Sequence, residues 1–130
     1  MKSFKNTEDI IHHLHWLNND TLSILDFDKI PSGSIITLHD EWLYCGSEHI
    51  YKINDDSNDF IHGYHYLKKG VFGINWNFLI WKVKLKKLEH RNDLIYTVPS
   101  SWILDRAKSS SMLKNSDIRL LPNPIDCAVF

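Results

Sequence analysis

Four short apolar runs each end in a polar or turn-forming cluster, and this recurrence constrains the fold more than any other feature. The plainest case is Ile35-Ile36-Thr37-Leu38, which rises out of the turn Pro31-Ser32-Gly33-Ser34 and stops at His39-Asp40-Glu41-Trp42. An apolar run bounded by turn residues reads as a buried strand. Ile10, Ile11 and Leu14 run into His15-Trp16, Asp93 to Val98 run into Pro99-Ser100-Ser101, and Ile118 to Leu121 run into Pro122-Asn123-Pro124.

Helical segments separate these runs. Asn18-Asn19-Asp20 can cap a helix over about Thr21 to Lys29, with Leu22, Leu25 and Ile30 as its apolar stripe. Asn75 to His90 places Trp81, Leu85 and Leu88 on one helical face, and its lysines are expected in water. Ser100 or Ser101 can cap a helix beginning near Trp102 and fading at Ser109-Ser110-Ser111. Between Leu43 and Gly73 lies an irregular stretch rich in aromatics, which a compact domain keeps for function or leaves disordered. Strand–helix alternation of this kind implies an α/β fold: a Rossmann-like parallel sheet flanked by helices, with right-handed crossovers. The 130 residues suit one domain.

In a parallel sheet the four polar strand ends lie along one rim, and ligands of open α/β sheets sit beyond the carboxyl ends of the strands. His39 and Asp40 are therefore the first candidates for chemistry, since a neutral imidazole both donates and accepts hydrogen bonds. Glu41, His15 and Ser100 are expected along the same rim as substrate-binding groups. The alternative for His39 is a strand-closing residue bonded to local backbone. His13, His15 and His39 also invite a metal reading, and Cys45 with His49 a weaker one, but neither reaches the ligand number and spacing of a zinc site. Ser100 lacks the G-x-S-x-G surround of a nucleophile, so helix capping is the simpler role. No G-x-G-x-x-G or Walker pattern occurs, and a complete nucleotide site within the chain is not expected.

A net charge of −1 gives no argument for nucleic acid. Cys45 and Cys127 form no disulfide framework, which fits a reducing compartment. The charged start Met1 to Asp9 has no signal-peptide core, and no apolar run approaches the ~20 residues of a spanning helix. The expectation is a cytoplasmic protein. Peripheral contact at the inner membrane face stays open, through the lysines interleaved with Trp and Leu in Trp76 to Leu88.

Asp9 to Trp16, Thr37 to Trp42, Val98 to Trp102 and Leu121 to Asp126 together resemble successive motifs of family-4 glycosyltransferases, those of bacterial surface-polysaccharide assembly above all. The resemblance implies the GT-B architecture, with this chain as the second half of its N-terminal, acceptor-side domain. It implies that the first strands with their glycine loop, and the whole C-terminal donor-binding domain, are absent. It assigns His39 to a hydroxyl of the transferred hexose, with Asp40 and Glu41 orienting it or meeting the acceptor, and it implies no metal and no cofactor. The implied activity is transfer of a hexose from a nucleotide-sugar to a lipid-linked or polysaccharide acceptor with retention, and the fragment alone is expected to be inactive. The alternatives are a non-catalytic α/β binding module, or a remnant that pairs through an exposed sheet edge with a separate chain, and a metal hydrolase built on His13, His15 and His39.

Overall fold

A computed structural model describes residues 10–17, 22–52, 58–66, 73–125 and 127–128. Four strands form one all-parallel sheet in the order β1 (His13–His15), β2 (Ile35–Thr37), β3 (Ile95–Val98) and β4 (Asp117–Leu120). A 3-10 helix at Ile24–Lys29 follows β1; α1 (Asp59–His62) and α2 (Trp76–Leu88) lie between β2 and β3; α3 (Ser101–Ser109) joins β3 to β4. The fold is therefore α/β, with helices flanking a parallel sheet, as the alternation in the sequence requires.

Each crossover leads to the next strand in the same direction. Right-handed connections then place every helix on one face of the sheet. Register confirms which residues that face carries. Leu14, Ile36, Tyr96 and Ile118 form one row across the four strands. Ile36, Tyr96 and Ile118 are buried, and they pack in one core with Phe27, Leu88, Ile103 and Ala107 from the helices. A fully buried side chain of this kind contributes about 1.5–3 kcal/mol. The opposite face carries two rows, His13–Ile35–Ile95–Asp117 and His15–Thr37–Thr97–Arg119. Their outer members, His13, His15, Asp117 and Arg119, are exposed.

Several expected elements are displaced. The first strand begins at His13 rather than Ile10, because pairing with β2 is set by His13 opposite Ile35. Ile10 and Ile11 are exposed instead. The helix expected from Thr21 is a 3-10 turn capped by the Ser23 hydroxyl. The proposed caps Asn18 to Asp20 lie outside the described residues. The described parts of the irregular stretch are ordered around a cluster of rings, with Tyr44, Tyr51, Phe60 and Tyr64 all buried.

Helix α2 departs most from its reading. Lys84 is fully buried, and its ammonium donates to the carbonyls of Trp42 and Gly46 while lying 4.2 Å from the Trp42 ring centroid. The expectation that all the α2 lysines face water is thus corrected at Lys84. Two carbonyls of the loop after β2 turn toward the helix, and buried carbonyls require donors. Burial pushes the Lys84 amine down to about 7. Gly46 also has to be a glycine: a Cβ there would stand 2.6 Å from the Asn77 Cβ and 2.8 Å from the Asn77 Cα.

Candidate functional site

The carboxyl ends of β1 and β2 bring two imidazoles together. His15 Nδ1 and His39 Nε2 share a hydrogen bond of 2.9 Å. Partial burial holds the His15 pKa below the ordinary histidine value, reinforced by the neighbouring His13 and His39 rings. Trp16 follows with a φ of 51°, in the left-handed region that bulky residues avoid. That turn of the backbone lays its indole on His39, with ring centroids 5.1 Å apart and planes 5° from parallel. Strained backbone concentrates at functional sites, and here it fixes the ring that backs the candidate histidine.

Asp40 sits beside this pair. Its Oδ1 accepts from the Trp42 amide at 3.0 Å, and its Oδ2 lies 2.6 Å from His49 Nδ1. Below the pair, on the sheet face away from the helices, His13 Nε2 meets the Thr37 hydroxyl at 2.7 Å. That hydroxyl in turn shares a 2.7 Å bond with the Thr97 hydroxyl. The buried threonines thus support β1 from beneath. A crevice of about 20 Å³ opens among Trp16, Thr37, His39, Asp40 and Trp42, room for about one water. Any larger ligand must lie across the rim above it. A larger opening of about 310 Å³ lies at the other end of the sheet, where Glu89, Asn92, Lys114 and Asn115 line it without an imidazole or a paired carboxylate.

The remaining candidates have other partners. Glu41 points inward and is fully buried. It is ion-paired to Arg106, accepts from the Tyr44 hydroxyl at 3.1 Å and accepts from the Tyr51 amide at 2.7 Å. Arg106 also donates to the Tyr51 carbonyl at 2.9 Å and lies over the Phe60 ring. This network ties α3 to the segment after β2. The Glu41 carboxylate, expected at the rim as a substrate-binding group, is thus engaged inward by Arg106, Tyr44 and Tyr51. Ser100 caps α3, accepting from the Ile103 amide at 3.3 Å, as the capping alternative required.

Among the described residues no group of three or more His, Cys, Asp or Glu is arranged to hold a metal ion. His13 is directed to Thr37, and Cys45 is buried while His49 is exposed and turned to Asp40. The sequence reading did not single out Trp16, Thr37, Thr97 or Arg106, and it weighed His49 only as a metal ligand. Trp16 directly follows the candidate His15, and a Trp also closes the strand ends at Trp42 and Trp102; that recurrence was the one available signal.

Comparison with protein-family models, with curated proteins and with solved structures finds no match for this chain. Among the described residues no helix is long and apolar enough to cross a membrane.

Proposed function

We propose that the rim formed by His15, Trp16, His39 and Asp40 is a sugar-contacting surface. In this reading the chain is part of a family-4, GT-B glycosyltransferase of bacterial surface-polysaccharide assembly. The observation that carries the reading is the His15–His39 pair. One nitrogen of His39 is engaged by His15, its ring is backed by the Trp16 indole, and among the described residues its Nδ1 edge remains for a hydroxyl. An imidazole held this way can accept or donate to a hexose hydroxyl without a change in net charge. Asp40, positioned by Trp42 and His49, stands next to it for a second hydroxyl.

The same geometry argues for a half-site. The crevice admits about one water, so a hexose here needs a second wall. Two cations whose elements reach the rim, Arg106 and Lys84, are engaged inward by Glu41 and by backbone carbonyls. Neither is disposed to meet a departing diphosphate. In this reading transfer depends on a donor-binding part beyond this rim, and the chain by itself is expected to be inactive.

A second reading is a non-catalytic binding module that pairs with a separate polypeptide. The sheet face bearing His13, His15, Asp117 and Arg119 favours it, because parallel sheets are ordinarily covered on both faces. Saturation-transfer NMR with methyl α-hexosides tests the sugar reading. The hexoside ring protons should receive saturation from the protein, and His39→Ala should remove most of the effect. Coding sequence for a glycine loop and paired glutamates beside this reading frame would favour a split enzyme over a module.

A further inference from the structure

The cleft of about 310 Å³ lies at the end of the sheet away from the histidine rim. The strands are all parallel, so this end holds the starts of β3 and β4 rather than their carboxyl ends. One wall is the last turn of α2 with the turn into β3. The other is the connection from α3 to β4.

Both walls are fixed by their own hydrogen bonds. Arg91 clamps the first. Its guanidinium donates to the carbonyls of Phe27 at 3.0 Å and Ile30 at 2.6 Å and pairs with Asp93, while its amide donates to the Leu88 carbonyl at 2.9 Å. Ser110, fully buried, holds the second: its hydroxyl accepts from the Leu113 amide at 3.1 Å, and its carbonyl from the Lys114 amide at 3.1 Å. The Ser111 amide adds a 2.8 Å bond to the Phe60 carbonyl. The cleft is therefore shaped by the fold itself, as small-molecule sites usually are, and its size is at the lower end of the roughly 300–1,000 Å³ such sites occupy.

Its lining divides into three kinds of chemistry. Leu88 and Met112, both buried, give an apolar floor. Glu89 stands on the α2 wall at the carboxyl-terminal cap, where the end of the helix adds negative potential. Lys114 stands on the other wall beside Asn115. The two charges do not close on each other. The ion-pair partner of Glu89 is its neighbour His90 at 3.5 Å. Among the described residues, the Lys114 ammonium and the side-chain amides of Asn92 and Asn115 have no hydrogen-bond or ion-pair partner.

A ligand that complements this lining carries an ammonium for Glu89, a carboxylate for Lys114 and Asn115, and an apolar group to cover Leu88 and Met112. A purely anionic ligand would meet the Glu89 carboxylate, and a purely cationic one the Lys114 ammonium. We infer that this cleft is a second binding site, for a free α-amino acid with an apolar side chain. The inference stands on the cleft alone and does not require the sugar reading.

Amide-shift NMR of the full chain with L-leucine and L-methionine tests it. L-Leucinamide lacks the carboxylate and 4-methylpentanoate lacks the ammonium. The amino acids should shift the amides of Leu88, Asn92, Met112 and Lys114 and leave that of His39 in place. Each half-probe should bind about tenfold more weakly, because one charged contact is lost. Glu89→Gln should weaken L-leucine and L-leucinamide but not 4-methylpentanoate. Lys114→Gln should weaken L-leucine and 4-methylpentanoate but not L-leucinamide. Both positions are exposed, so circular dichroism should be unchanged. No shift with either amino acid at about 10 mM would overturn the inference, since even millimolar affinity would show there. So would equal binding of L-leucine and the two half-probes, shifts confined to residues outside the cleft, or indifference to both substitutions.

Discussion

His15 Nδ1 lies 2.9 Å from His39 Nε2, so each imidazole determines the tautomer of the other. One ring donates and the other accepts, and protonating both would destroy the bond. The pair also has a sign in its pH dependence. Partial burial and the two flanking imidazoles hold His15 below the ordinary histidine pKa. As pH falls through the window below about 6.5, the unfolded chain takes up a proton before the folded chain does, and folding loses stability. His15→Gln should flatten that part of the stability profile, read by urea unfolding at a series of pH values. A wild-type profile with no slope there, or a slope retained in the variant, would count against the coupling.

Glu41 and Arg106 join positions far apart in the chain through a buried ion pair. Removing one partner leaves the other uncompensated, so Glu41→Gln should cost about 3 kcal/mol in chemical unfolding. Arg106→Met should cost a similar amount, and the double variant Glu41→Met/Arg106→Met clearly less than the sum of the singles. Additive losses would mean that the two residues act separately.

Lys84 gives the opposite pH signature to an exposed lysine. Burial lowers its amine to about 7, whereas the unfolded chain keeps the proton to about 10.4. Stability should therefore rise with pH above about 7 relative to Lys84→Met, because the unfolded state alone must then bind the proton. At neutral pH the variant should lose about 2–4 kcal/mol, since the carbonyls of Trp42 and Gly46 lose their donor. A pH-independent difference between the two proteins would contradict a depressed amine.

Gly46 approaches α2 too closely for any side chain. Because the nearest atoms to an added Cβ include the Asn77 Cα, the strain of Gly46→Ala falls on backbone. It should cost about 1–3 kcal/mol, with the thermal midpoint as readout. A neutral substitution would show that the loop can lift away from the helix.

The parallel sheet and the Ser100 cap were legible because each rests on neighbours in sequence: a short apolar run, a turn, a serine three residues before an amide. The rim was legible for the same reason, since strand ends carry their polar residues with them. What sequence could not reveal depends on partners from elsewhere. Glu41 sits in a row of polar residues with nothing local to say that Arg106 takes it inward. Lys84 looks like its neighbours Lys82 and Lys86, and only the carbonyls of Trp42 and Gly46 distinguish it. The first strand was placed too early because Ile10 and Ile11 suit a strand intrinsically, while register with Ile35 selects His13 to His15. The Trp16 stack needs a positive φ that its residue type disfavours, so no propensity argument would have found it.

The most direct test of the sugar-contact reading is the imidazole nitrogen spectrum of the protein, labelled at histidine, during titration with nucleotide-hexoses and with methyl α-hexosides. The His39 Nδ1 resonance should move with at least one hexose, His15 should follow through the shared hydrogen bond, and His90, exposed just past the C-terminal end of α2, should stay still. A His39 signal that ignores every hexose, or moves only in step with His90, would contradict the account.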